Sequence, residues 1–299
     1  MLPHGLPQGL VYGLRAATLP ASSAATTIGA LQRAEVAGIF WRGEGALPPA
    51  LPFGVPLVEA SGPRGRRGVA SLVAEDRDER DAAFGSALAL LDWAKGVGGT
   101  TLLVRLPAPR RFEPYWERLR ERHHRGLLGQ EQSLTLRIER GVLLTESVDR
   151  ARAVLDKLLD HALRSGCRLA LTNPQRFLDL PSPEEGAALA TELDGGPLQL
   201  WFDGPAAHLQ EVMGLVSVER IRQTFDREGD GSGCFVGDAC GPIGALAPDR
   251  GAIGRALPRH LGRGQGRVFS PWSGLSLDEA LEAYRMTRRW LDSRSHTQS

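Results

Sequence analysis

Polar residues that close short apolar runs are where this sequence could do chemistry. Arg15, Arg42, Glu59, Arg105, Thr172 with Asn173, Asp203, Asp238, and Ser270 with Trp272 each stand at such a place. Asp203 and Asp238, on successive runs, could serve as general acid and base, or jointly hold a divalent cation. Arg15, Arg42 and Arg105 carry the paired donors that suit a carboxylate or a phosphate. With Glu59, Asn173 and Trp272 they form the candidate substrate-binding set for a small polar anion such as a sugar phosphate or a keto acid. A competing arrangement pairs the arginines with Glu59, Asp203 and Asp238 and leaves a neutral ring. A relocated metal site, for an ion such as Mn or Zn, would draw on Glu59, Asp203, Asp238 and His208.

Other features carry less. DREGDGSG (226–233) spaces its acids faintly like a calcium loop but lacks the bidentate glutamate, so a plain loop is the expectation. His123 and His124 sit in an Arg-rich segment that reads as a solvated helix face. His208 reads as a surface residue of the helix after Asp203, and Trp41, Trp201 and, as the alternative to a substrate contact, Trp272 as packing residues.

The elements that must position the candidates alternate in type. Strands are expected at 10–19, 39–43, 55–61, 100–107, 167–174, 198–203, 234–239 and 266–272. Helices are expected at 23–38, 75–99, 147–166, 182–196 and 276–293, with a short one near 251–262. The segment 75–99 has acids in its first turn and glycines after its end. In 147–166, Leu155, Leu158, Leu159 and Ala162 recur at helical spacing. Ser182 is an expected N-cap, with Pro183 at the first helical position. Residues 108–146 give a mixed signal. Strict strand–helix alternation implies parallel pairing with right-handed crossovers. Eight such units predict an α/β fold of one domain, a (β/α)8 TIM barrel over 10–293, with an N-terminal extension (1–9) and a disordered tail (294–299). In such a barrel the chemistry sits at the carboxyl ends of the strands.

Bulk properties narrow the function. The chain has 299 residues, long enough for one such barrel. Its 36 Lys and Arg against 35 Asp and Glu leave a net charge of +1, which gives no expectation of nucleic-acid binding. Only Lys95 and Lys157 are lysines, and the skew towards Arg, Ala, Gly and Leu suggests a high-GC bacterial source. Three cysteines without CxxC spacing argue against a disulfide framework or a zinc knuckle. There is no Walker A motif and no GxGxxG after a strand. The start lacks a signal-peptide pattern and no apolar run is long enough to span a membrane, so a cytoplasmic protein is expected.

Several stretches resemble the xylose isomerase-like barrels, which include sugar-phosphate isomerases and epimerases. ALLDWAKGVGGTTLLVRLP is similar to that group's fourth strand and the helix before it, RSGCRLALTNP to the fifth strand, LQLWFDGPAA to the sixth, CFVGDACGPIGALAPDRGAI to the seventh and its loop, and GRVFSPWSGLSLDEAL to the eighth strand and last helix. The resemblance implies a divalent metal held by Glu, Asp, His and Glu from strands five to eight. Carried over position by position, Thr172 stands for the first Glu, Asp203 is retained, Ala206 replaces a His that often follows it, Phe235 stands for the His of strand seven, Asp238 is retained, and Ser270 or Pro271 stands for the last Glu. The metal set looks lost. The resemblance thus implies metal-independent or atypical acid/base isomerisation, epimerisation, dehydration or cyclisation of a small-molecule substrate, with no cofactor. The alternatives are an inactive barrel that binds or scaffolds a partner enzyme, a homodimer among them, and a metal enzyme with relocated ligands.

Overall fold

Each barrel strand is a short run covered on both sides, as a strand between a filled lumen and a layer of helices must be. The computed structural model describes residues 10–15, 24–42, 57–60, 64–65, 68–96, 99–128, 130–174, 176–193, 198–227, 233–236, 267–269 and 275–295. Eight parallel strands lie within them: β1 (Leu10–Arg15), β2 (Ile39–Arg42), β3 (Leu57–Ala60), β4 (Thr101–Val104), β5 (Arg168–Thr172), β6 (Leu198–Asp203), β7 (Cys234–Val236) and β8 (Arg267–Phe269). Each pairs with the next and β8 returns to β1, so the sheet closes into the expected (β/α)8 barrel. A small antiparallel pair, Arg64–Gly65 with Gly68–Val69, follows β3. The helices are α1 (Ala24–Arg33), α2 (Arg77–Gly96), α3 (Glu113–His124), α4 (Gln130–Ser165), α5 (Pro183–Glu192), α6 (Gly204–Val212), α7 (Val218–Arg227) and α8 (Leu277–Ser295).

Alternation along the strands sorts side chains into two cores. Val11, Phe40, Leu103, Ala170, Trp201, Phe235 and Val268 fill the lumen. Their neighbours, among them Ile39, Trp41, Leu102, Val104, Leu169, Leu171 and Phe202, pack outward in the larger core with the helices. The lumen is therefore plugged below its rim.

Most elements fall within the expected spans. Ser182 caps α5 as expected: its hydroxyl accepts the Glu185 N–H, and the Glu185 carboxylate accepts the Ser182 N–H in return, at 3.2 and 2.7 Å. The mixed segment 108–146 resolves into a 3-10 turn (Arg110–Phe112), α3 and the first half of α4. α4 is 36 residues long rather than starting near 147, and spans about 54 Å. Its extra turns bury Leu136, Arg140 and Leu144 at four-residue spacing and leave Leu134, Ile138 and Val142 exposed. α8 runs two residues into the expected tail, to Ser295. The expected helix near 251–262 and the residues 1–9 lie outside the described residues. No helix among the described residues is long and apolar enough to cross a membrane.

One glycine fixes how closely the lumen packs. Phe202 N–H donates to the Gly233 carbonyl at 3.0 Å, and a Cβ added to Gly233 would lie 2.6 Å from the six-membered ring of Trp201. Trp201 is fully buried and cannot yield. Gly233→Ala is expected to lower stability by about 2 kcal/mol through overpacking, read as a lower urea midpoint at unchanged slope.

Candidate functional site

The rim of the barrel is assembled by strand register. Arg15 pairs with Arg42, and Arg42 with Glu59, so three candidates from β1, β2 and β3 stand side by side on the backbone. Glu59 in turn pairs with Leu103 of the lumen layer. Arg105 comes two residues later and shares the face of Leu103 by alternation. On the far side Thr172 pairs with Trp201, and Asp203 with Phe235.

Three of these residues meet. Arg105 Nε lies 3.2 Å from Glu59 Oε2, and Arg105 Nη2 lies 3.6 Å from Asp203 Oδ2. Both carboxylates are largely buried, at 8% and 4% exposed. Burial alone would work against the charge on Arg105, but Glu59 first, then Asp203, and more weakly Asp179, outweigh it and raise its pKa. For Arg105 the pairing alternative holds: this arginine is ion-paired with the two acids.

Asp203 is fixed on every side. Its Oδ1 accepts the Ala206 N–H at 2.9 Å and so caps α6. Its backbone is clamped by Asn173, which donates from Nδ2 to the Asp203 carbonyl at 2.9 Å and accepts the Asp203 N–H at 2.8 Å. Asn173, read as a substrate contact, is 1% exposed and spends its amide on this clamp. Gln210 of α6 reaches back to the Pro174 carbonyl, tying the helix to the same loop.

Further support arrives from residues the sequence reading missed. Arg140 of α4 is buried and donates to the Phe177 and Asp179 carbonyls at 2.7 and 2.9 Å, and pairs with Glu185. Asp179 then accepts the Ala108 N–H at 3.0 Å and pairs with Arg176. The loops after β4 and β5 are thereby locked together beside Arg105. Over these loops opens a cavity of about 590 Å3, lined in part by Ser71, Glu79, Pro107, Arg110, Glu113 and Arg176. Its charges are mutually paired, Arg176 with Glu113 at 2.6 Å and Arg111 with Glu75. Clusters of charge this far apart in sequence leave no local signal.

The remaining candidates divide. Asp238, Trp272, Ser270 and Pro271 lie outside the described residues, as do 228–232 of the acidic loop. Arg15 and Arg42 are placed by register alone. His208, read as a surface residue, is half-buried and its Nδ1 is shielded without a hydrogen-bond partner among the described residues. Trp41 and Trp201 are packing residues as expected. His123 and His124 close α3.

No family model matches the chain, and no curated protein does. Solved structures do. The apo form of 3-keto-D-glucoside 4-epimerase, YcjR, from E. coli is 16% identical with a TM-score of 0.61, covering 95% of this chain and 99% of that one. An L-ribulose 3-epimerase is 14% identical with a TM-score of 0.62, covering 96% and 95%. A xylose isomerase domain protein from Planctomyces limnophilus is 12% identical with a TM-score of 0.62, covering 98% and 100%. At these identities the likeness is one of fold: the chain shares the (β/α)8 barrel of these proteins over nearly its whole length.

A divalent metal of the kind the resemblance implies does not fit the residues described. Asp203 already gives one oxygen to the α6 N-terminus and the other to Arg105. Phe235, beside it in register, is 1% exposed and wedged between the rings of Phe40 and Trp201, at centroid distances of 5.3 and 5.6 Å. Among the described residues no three of His, Cys, Asp and Glu come together as a metal cluster.

Two outcomes follow from this packing. Asn173→Ala removes both buried hydrogen bonds that clamp the Asp203 backbone and is expected to cost about 3 kcal/mol, measured by urea unfolding. Burial, partly countered by Arg267 and reinforced by Asp203, pushes the Cys234 thiol up to about 12, and burial also raises Cys167. Since the thiolate is the nucleophile, both are expected to resist iodoacetamide at pH 8 until the protein unfolds, as peptide mass spectrometry would show.

Proposed function

We propose that this chain is a sugar isomerase/epimerase-type barrel that moves a proton on a small polar, anionic substrate by acid/base chemistry at its mouth. The observation that carries this reading is the buried Glu59–Arg105–Asp203 cluster at the carboxyl ends of β3, β4 and β6, where such barrels do their chemistry. A carboxylate takes the proton from the carbon beside a carbonyl, the electron pair moves onto the carbonyl oxygen, and an acid returns a proton to the opposite face or to the neighbouring carbon. Arg105 donates to the oxygen as its charge develops. Asp203 and Asp238 act as the acid/base pair, and Arg15 and Arg42 receive the anionic end of the substrate. Asn173 works through Asp203 and is a positioning residue.

One observation favours a second reading, a barrel that binds without turnover: both oxygens of Asp203 are engaged. The two part in a single experiment. Chelator-treated protein is incubated in D2O with a panel of ketoses, ketose phosphates and keto acids, and loss of the C–H signal is followed by NMR. Exchange is expected, insensitive to chelator and reduced at least about 100-fold in the Asp203→Asn, Asp238→Asn double variant. Exchange that needs added metal would overturn the metal-independent chemistry. Saturable binding with no exchange would leave the binding barrel.

A further inference from the structure

We propose that the outer face of the first half of α4 is a dimer interface, on which a second copy of this chain packs its own α4 side by side and parallel about a two-fold axis. The inference concerns assembly, and holds whether or not the barrel turns a substrate over.

α4 carries two different outer faces. Along its second half the exposed residues are mostly charged, Asp156, Lys157, Asp160 and Arg164 with Leu163 among them, as suits a barrel helix facing water. Along its first half Leu134, Ile138 and Val142 follow one another at four-residue spacing on one side of the helix, 56%, 63% and 75% exposed. This half stands at the mouth end of the barrel, where Arg140 on its inner side holds the loop after β5. Leu127, in the turn before α4, and Val212, at the end of α6, are exposed too. The Leu128 carbonyl lies 4.0 Å from the place of a Cβ on Gly214, so that turn adjoins the end of α6. Five of the seven exposed large apolar side chains among the described residues thus fall on the first half of α4 and the segments beside it. Apolar surface gathered in this way marks a contact site.

The face fits itself. A two-fold interface presents the same patch from both sides and must be self-complementary. Leu134 and Val142 lie about one turn to either side of Ile138, so a second α4 sets Ile138 against Ile138 of the partner subunit with apolar neighbours above and below. Gly141 shares this face, and nothing lies within 4 Å of where its Cβ would be, which lets two helices approach closely. Charge then sets the direction. At about 100° per residue, Arg137 stands on one edge of the stripe and Glu139 on the other. Tyr115 of α3 donates to Glu139 at 2.7 Å and holds it on that edge. A two-fold axis running along the helices brings unlike edges together, Arg137 to Glu139 of the partner subunit, twice. An axis across the helices would set like charges against each other, which is costly. A partner surface of one sign would be attracted by one edge and repelled by the other. One helix face is narrower than the roughly 800 Å2 per partner of a standard interface, so a reversible dimer is expected.

The test is analytical ultracentrifugation of the full chain from about 1 to 100 µM. Wild type is expected to rise with concentration towards twice the chain mass of 32.3 kDa. Ile138→Glu keeps a good helix former at an exposed position. It is expected to raise the dimer dissociation constant at least about 100-fold, with the far-UV circular dichroism melt of the monomer unchanged. Arg137→Glu sets acid against acid and is expected to raise that constant about 10-fold. The double variant Arg137→Glu, Glu139→Arg exchanges the two edges and is expected to recover most of the loss. A wild-type chain that stays monomeric throughout overturns the proposal, as does a dimer that I138E leaves intact. Failure of the double variant to recover overturns the parallel arrangement. Should I138E not fold, Val142→Lys at the end of the stripe carries the same expectation. None of these readouts depends on turnover, so they stand apart from the isotope-exchange result.

Discussion

Two acids and one arginine share one small volume near the barrel rim, and much of the mouth is arranged around keeping them charged together. Removing the Arg105 guanidinium would leave Glu59 and Asp203 without their shared cation, and breaking a buried pair from one side costs far more than the pair contributes. The cluster also links distant parts of the chain. Glu59 belongs to β3, Arg105 follows β4 and Asp203 ends β6, so the ion pairs tie three strands together at the rim in addition to the sheet's own ladder.

The lumen beneath sets the strength of that interaction. Phe235 packs at a tilt against Phe40 on one side and Trp201 on the other below the rim, an apolar layer under the charges. Above and beside it, the support runs outward in steps. Arg140 holds the carbonyls of the loop after β5, Asp179 of that loop holds the loop after β4, and Arg105 emerges from the latter. Asn173 and the N-terminus of α6 hold Asp203 from the other side. The acid is thus positioned by its backbone, its cap and its ion pair, with little freedom left in any of them.

The barrel was legible in the sequence because its strands are short apolar runs separated by helices, and the run 198–203 matches β6 residue for residue. The first half of α4 was not legible for a physical reason. Its buried face is Leu136, Arg140, Leu144, so a charged residue interrupts the apolar period, while Leu134, Ile138 and Val142 put apolar side chains on the exposed face. Burial of Arg140 depends on partners at Phe177, Asp179 and Glu185, some 40 residues away, which no local pattern shows. At the site, Glu59, Arg105 and Asp203 were visible as residue types at strand ends. Pairing of the arginines with these acids was one of two arrangements the residue types allowed, and the choice between them for Arg105 was not legible, because it follows from register across four strands. The same is true of Phe235: its place beside Asp203 is a register fact, and its aromatic neighbours come from β2 and β6.

A guanidinium at a barrel mouth does different chemistry from a divalent ion. A metal supplies two charges and draws on any oxygen in reach, whereas a guanidinium supplies one charge along fixed N–H directions. Under the proposed reading the electrophile is therefore weaker and more selective in geometry. The proton to be moved must already be acidified by the substrate's own carbonyl, and remaining attraction must come from other cations. The register sets Arg15 and Arg42 beside Glu59, on the arc of the rim next to the ion-paired cluster. A substrate with a carbonyl at one end and an anionic group at the other would span from Arg105 to those two positions. Under the proposed reading the mouth is suited to a charged carbonyl compound.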